Sequence, residues 1–215
     1  MARGRHGLTP RLTRGFFDKV GRDWDAAWAK KVTPWELQAV NPSFAEGLAH
    51  VPLPPGGRAL VPGCGSGYDI LHLHQKGWVA TGLDISATAV AQAQSVVPPG
   101  LVRVADFFEF ESPTPFDLIY DYLFFAAIEP EMRIRAAEQF HALLRPDSGT
   151  LMTLLFPCVP EAIKGKRSGP PYELSLQEYV EVFEAAGLRL CSTLVPSTTI
   201  KPRRGRELLA YWDRR

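Results

Sequence analysis

Arg58-Ala-Leu-Val-Pro-Gly63-Cys64-Gly65-Ser-Gly67-Tyr-Asp69, followed by Val79-Ala-Thr-Gly-Leu-Asp84-Ile85-Ser86, decides how this chain is read. A short apolar strand runs into a glycine-rich turn, a helix-capable segment follows, and a second apolar strand closes on an acid. Glycines let the backbone approach a ligand closely and adopt φ > 0. A carboxylate at the tip of the next strand can accept both hydrogens of a ribose diol. The stretch is a βαβ unit able to hold a nucleoside.

Outward from it the signals alternate as βαβ units do, with strands expected at 58–62, 79–83, 101–104, 116–120 and 149–155 and helices at 67–76, 86–95 and 130–143. The continuous apolar runs Phe116-Asp-Leu-Ile-Tyr120 and Leu151-Met-Thr-Leu-Leu-Phe156 suit central parallel strands covered on both faces. Ser175-Leu-Gln-Glu178 is a capping box that opens a helix at 175–186, and Gly187 closes it. Two late strands, 188–195 and 207–213, flank the basic stretch Lys201-Pro-Arg-Arg-Gly-Arg206, which reads as a hairpin. The expected fold is α/β: a doubly wound, mostly parallel, seven-stranded Rossmann-like sheet with an antiparallel last strand. Before the sheet, Phe17, Val20, Trp24 and Trp28 fall at helical spacing over 16–31, Thr33-Pro34-Trp35 breaks that helix, and Asn41-Pro42-Ser43 starts another. Residues 16–215 are expected to form one domain, with 16–57 as a helical preface and 58–215 as the core.

The spacing of the glycines bears on which nucleoside is held. A dinucleotide fingerprint, G-x-G-x-x-G, would place its third glycine at position 68, which is Tyr68, and the following helix has no Lys or Arg before Lys76 to meet a pyrophosphate. A nucleoside without phosphates fits better, and S-adenosylmethionine is the common one. A further acid, Asp106, ends the third strand, where its carboxylate would lie beside the adenine. Glycine loop, Asp84 and Asp106 thus fall at the carboxyl ends of consecutive strands, the edge at which open α/β sheets bind ligands.

Apolar residues make up 46% and charged residues 22%, the balance of a soluble globular protein. A net charge of +1 supplies no field to draw in nucleic acid or an anionic membrane. No 18-residue apolar span or signal-peptide core is present, so a cytoplasmic protein is expected. Three cysteines suit a reducing compartment. Residues 1–15 carry Arg3, Arg5, Arg11 and Arg14 without an acid and are expected to be a mobile arm, an organelle transit peptide being the alternative. No zinc-type cluster occurs, and His72 and His74 are spaced to face different sides of a helix, so no metal is expected.

With these residues in view, the chain resembles the class I methyltransferases, and more closely the thiopurine S-methyltransferase family with its halide and thiol methyltransferase branch. The likeness is carried by Trp24-x-x-x-Trp28 with Thr33-Pro34-Trp35, by Leu-Val-Pro-Gly63-Cys-Gly, by Phe116-Asp-Leu-Ile-Tyr-Asp121-Tyr122-x-Phe-Phe, by Ala127-Ile-Glu-Pro-Glu-Met-Arg133, and by Gly169-Pro-Pro-Tyr172. The resemblance implies that Trp24, Trp28 and Trp35 fold over the cofactor as an N-terminal lid. It implies that Gly63, Cys64, Gly65 and Gly67 face its methionine portion, Asp84 and Ile85 its ribose, Asp106 and Phe107 its adenine, and Asp121 and Tyr122 its amino-acid end. Trp35, Arg133 and Tyr172 would act at the acceptor side.

A methyl sulfonium is already activated, so such a protein has only to align donor and acceptor and exclude water. No His, Asp or Lys base is evident where the lid would meet the acceptor loop, which favours soft nucleophiles arriving as anions or thiols. The small apolar pocket implied by Trp24, Trp35, Phe124, Phe125 and Tyr172 desolvates such species at modest cost. In the branch that carries the Asp-Tyr-x-Phe-Phe-x-Ala-Ile-Glu-Pro stretch, acceptors are halide ions and small thiols or bisulfide, and thiocyanate is a soft anion that likewise needs no base; a thiopurine or aryl thiol is the alternative. The expected partner is therefore a small-molecule or anionic acceptor, with no nucleic acid and no membrane, on a monomer. Rival readings are a nicotinamide oxidoreductase, opposed by Tyr68, and a methyltransferase-like binding module without activity, opposed by the intact acids and tryptophans. DNA methylation is opposed by Asp121-Tyr-Leu-Phe where a Pro-Pro-Tyr motif would stand.

Overall fold

The computed structural model describes residues 23–158 and 172–214. Among them, seven strands form one sheet: β1 (Arg58–Pro62), β2 (Val79–Asp84), β3 (Val102–Val104), β4 (Leu118–Tyr122), β5 (Thr150–Leu155), β6 (Leu188–Leu194) and β7 (Leu208–Arg214). Their order is β3-β2-β1-β4-β5-β7-β6, with β7 antiparallel to both neighbours and every other pairing parallel. The chain begins at β1, winds outward to β3, and returns to β4 on the other side of β1, so the direction of winding reverses between β1 and β4. Beyond that reversal the carboxyl ends of the strands open a crevice. The register keeps those ends level, Pro62 lying opposite Leu83 and Asp84 opposite Val104.

The helices are α1 (Trp24–Ala29), α2 (Pro42–Leu48), α3 (Tyr68–Gln75), α4 (Ala87–Ala93), α5 (Phe124–Ala127), α6 (Arg133–Leu143) and α7 (Leu176–Ala185). Successive residues of a strand point to opposite faces, which divides the core in two. Ala59, Val61, Leu118, Tyr120, Met152 and Leu154 pack against Phe44, Ile70, Leu73 and Val90 from α2 to α4. Leu60, Ile119, Leu151 and Leu155 pack against Phe125, Phe140, Phe183 and Trp212 on the other side. Helix starts follow their caps: Asp23 accepts from Ala26 N, Asn41 from Ser43 N and Ser86 from Ala89 N, and Ser175 and Glu178 form the expected reciprocal box.

Several boundaries differ from the sequence reading. The strand expected at 116–120 lies two residues later, because Phe116 makes only an isolated bridge to Leu144, whereas pairing with β1 starts at Leu118 and pairing with β5 continues to Tyr122. The single turn α5 was not expected; it is too short to show a helical period, and it begins on Leu123 at φ 60. The helix expected from 130 opens as a 3-10 turn, Pro130–Met132, before α6. Lys201 to Arg206 is not a tight hairpin: it holds a 3-10 turn, Lys201–Arg203, inside a longer link between the antiparallel pair β6 and β7. Residues 1–15, the first seven residues of the helix expected at 16–31, and Gly169-Pro-Pro lie outside the described residues.

Candidate active site

A cleft of about 450 Å³ lies at the carboxyl edge of β1, β2 and β4. Its floor is the glycine turn. Gly63 and Gly65 have φ of 59 and 52, and a Cβ on either would come within 3.0 Å of a ring atom, of Phe124 and Trp28 respectively. Only glycine leaves this backbone both unstrained and open to a ligand. Both line the cleft; Cys64 and Gly67 do not. The Cys64 amide donates to the Leu83 carbonyl at 2.9 Å, tying the ends of β1 and β2 together, and its buried thiol points at Gly82. Burial first, and the nearby Asp84 charge second, push that thiol upward, the opposite of what a nucleophile needs. Gly67 caps α3 in a left-handed conformation and packs against Ala93, the last residue of α4, and Val97 beyond it.

Asp84 stands at the tip of β2, 7% exposed and lining the cleft. It accepts from Gly65 N at 3.0 Å and Ser86 N at 2.9 Å. Burial raises its carboxyl above the ordinary value, against the pull of those amides. Ile85, half exposed, lies beside it, and Asp106 with Phe107 and Phe108 closes the far end. Asp106 accepts from Phe108 N at 2.9 Å, a local bond that turns the backbone after β3.

The opposite wall is aromatic. Trp24 and Trp28 of α1 meet Trp35 edge to face, with ring centroids 5.7 and 6.4 Å away, and all three line the cleft. Asp25 holds α1 in place by accepting from Ser86 Oγ at 2.7 Å and Thr88 N at 2.8 Å. The Ser86 hydroxyl first, and the Thr88 amide next, lower the Asp25 carboxyl.

Adjacent β4 residues part company. Tyr122 lines the cleft, and its hydroxyl donates to the Trp35 carbonyl at 3.0 Å. Asp121 points to the other face, is fully buried, and accepts from Phe125 N at 3.1 Å; burial pushes its carboxyl up to about 7. It does not line the cleft. Phe124 does, whereas Phe125 is a core residue, its ring tilted against Tyr179 and edge to face with Phe183. Arg133 and Tyr172 are not among the described lining residues. The Arg133 guanidinium sits 5.1 Å over the Tyr172 ring, and the Tyr172 hydroxyl donates at 2.5 Å to Glu129, which does line the cleft. The sequence reading found no His, Asp or Lys base at this end and gave Glu129 no role. Glu129 and Met132 were missed because nothing near the Glu-Pro step shows which way the single turns at 124–132 aim their side chains.

A family model described as thiopurine S-methyltransferase matches residues 20–213. Probable thiol methyltransferase 2 of Arabidopsis thaliana is 39% identical over 197 residues, covering 89% of this chain and 84% of the relative. Thiocyanate methyltransferase 1 of the same plant is 35% identical, covering 96% and 91%. Among solved structures, Burkholderia thailandensis 1,6-didemethyltoxoflavin-N1-methyltransferase with bound S-adenosylhomocysteine superposes with a TM-score of 0.69 at 22% identity, over 93% of this chain and 88% of that one.

Proposed function

Because this chain belongs to the thiopurine S-methyltransferase family and is an S-adenosylmethionine-dependent methyltransferase, we propose that it methylates a small, soft nucleophile: a thiol or bisulfide, or an ion such as thiocyanate or iodide. When bound, S-adenosylmethionine supplies a methyl carbon on a cationic sulfur, open to in-line displacement. The observation that carries the reading is the lid of Trp24, Trp28 and Trp35 facing Gly63, Gly65 and Asp84 across one cleft.

The residues fit that cofactor. Asp84 and Asp106, spaced along the strand tips, suit a ribose diol and an adenine amine, and Gly63 and Gly65 leave open the space a Cβ would fill. The indole faces suit a sulfonium, to which an aromatic quadrupole is attractive. An adenosyl group with its amino-acid arm fills most of a cleft this size, and what remains is walled by Phe124, Ile128 and Met132. Such a wall favours weakly hydrated acceptors over hard ions. Glu129 is engaged by the Tyr172 hydroxyl, and the described lining includes no His or Lys, so the reading assigns no general base. The site contributes alignment and exclusion of water.

Methyl transfer to iodide, thiocyanate, bisulfide, thiophenol and a thiopurine, assayed side by side, tests this. Soft small acceptors should lead, with catechols and amines inert; a preference for either of those would end the proposal.

A further inference from the structure

Behind the lid, on the side away from the cleft, lies a buried ion pair that the cleft does not itself require. Arg203, at the end of the 3-10 turn between β6 and β7, is 5% exposed. Its guanidinium lies 4.7 Å over the Phe156 ring and 5.5 Å over the Tyr122 ring. One terminal nitrogen is 2.5 Å from the Tyr122 hydroxyl and 3.4 Å from Glu207 Oε1, and the other donates to the Trp35 carbonyl at 3.3 Å. Tyr122 donates to that same carbonyl. Glu207, also buried, accepts from Ser43 Oγ at the start of α2 at 2.6 Å and from Thr199 Oγ1 at 2.5 Å.

Burying a charge pair is expensive, and apolar side chains of the same volume often serve stability as well. What a guanidinium does that they cannot is present several donors in one rigid plane. Here that plane engages two groups of the cleft wall, the main chain of Trp35 and the side chain of Tyr122. The Trp35–Glu36 peptide is thus held from both sides: its N–H donates locally to the Thr33 carbonyl at 3.0 Å, while its carbonyl accepts from Tyr122 and Arg203, which reach it from the sheet and from the β6–β7 connection.

We propose that Arg203 is a positioning residue for methyl transfer, a strut from the β6–β7 connection that sets how deep the Trp35 indole sits over the cleft. This rests on the reading that the indoles shield the reacting carbon. Arg203 is not among the residues lining the cleft; it acts through Trp35 and Tyr122.

The test uses the full chain with Arg203→Lys and the double variant Arg203→Met/Glu207→Gln, the second removing the lone acid that a single Arg203→Met would leave buried. Lysine keeps the charge, but a single ammonium cannot reproduce the fork. Turnover should fall about 10- to 100-fold in both variants, the cost of a misplaced reacting group. Affinity for S-adenosylhomocysteine, by calorimetry, should stay close to that of the unaltered protein, and amide exchange over residues 33–38 should quicken. Unaltered turnover in either variant would overturn the proposal, as would exchange over 33–38 that does not change. If the unaltered protein methylates no acceptor, the functional reading fails, and the exchange measurement still decides whether Arg203 holds the lid.

Discussion

The glycine edge and the tryptophan lid face each other across one cleft, yet they are held by different kinds of bond. The edge is local: Cys64 N to Leu83 O, Gly65 N and Ser86 N to Asp84, all within one βαβ unit. The lid is pinned by partners 61, 87 and 168 residues away, through Asp25 to Ser86, Tyr122 to Trp35 and Arg203 to Trp35. Bonds that close long loops form only once the sheet exists, and short surface segments held by few such bonds open first. Under the proposed function, the contrast places cofactor affinity chiefly in the edge and turnover chiefly in the lid.

The largest effect expected is at the edge. Asp84→Ala removes the proposed acceptor for the ribose and leaves the Gly65 and Ser86 amides without theirs. Binding of S-adenosylhomocysteine should weaken by ~1.5–3 kcal/mol, the range for a hydrogen bond to a charged group. Calorimetry that finds no change would remove Asp84 from the cofactor site. For the lid, Trp35→Ala should lower turnover by about tenfold or more while changing cofactor affinity less. Steady-state kinetics set against the binding constant check this, and the reverse pattern would make the indole a simple cover.

The smallest effect separates the two walls by acid. Glu46 of α2 anchors the β6–β7 connection by accepting from Ser197 and Thr198, and the Thr198 hydroxyl first, then the Ser197 amide, lower its carboxyl to about 2. Asp25 is lowered in the same sense. Both are lower in the folded than in the unfolded chain, so the stability they add is complete above the ordinary carboxylate range and is lost as pH falls toward the folded values, about 2 for Glu46. Both lie at the surface, where solvent screening keeps the effect modest. Tryptophan fluorescence should therefore report loosening of the lid at a higher pH than circular dichroism reports loss of the sheet, and Glu46→Gln should shrink that gap. Coincident transitions in the unaltered protein would show that lid and sheet are one cooperative unit.

Where the chemistry is local, the chain could be read directly. Glycines that must take φ > 0, a Ser/Glu box three residues apart and apolar runs ending in acids each act through neighbouring backbone, so β1, β2, β7 and the tips bearing Asp84 and Asp106 were visible in advance. Asp121 and Tyr122 show where this stops. Both were assigned to the cofactor, but a strand alternates its faces, and only pairing with β1 and β5 settled that Tyr122 meets the cleft and Asp121 the helix layer. Lys201 to Arg206 reads in sequence as a basic hairpin, and nothing within it announces that Arg203 is buried against Tyr122 and Phe156.

The order of residues by itself determined the glycine-and-acid edge and the winding of the sheet, because backbone conformation and strand length are decided by neighbours along the chain. The tertiary structure alone decided which of Asp121, Tyr122, Phe124 and Phe125 face the cleft and which distant charges hold its tryptophan wall, because burial and pairing depend on what other segments bring to the same place.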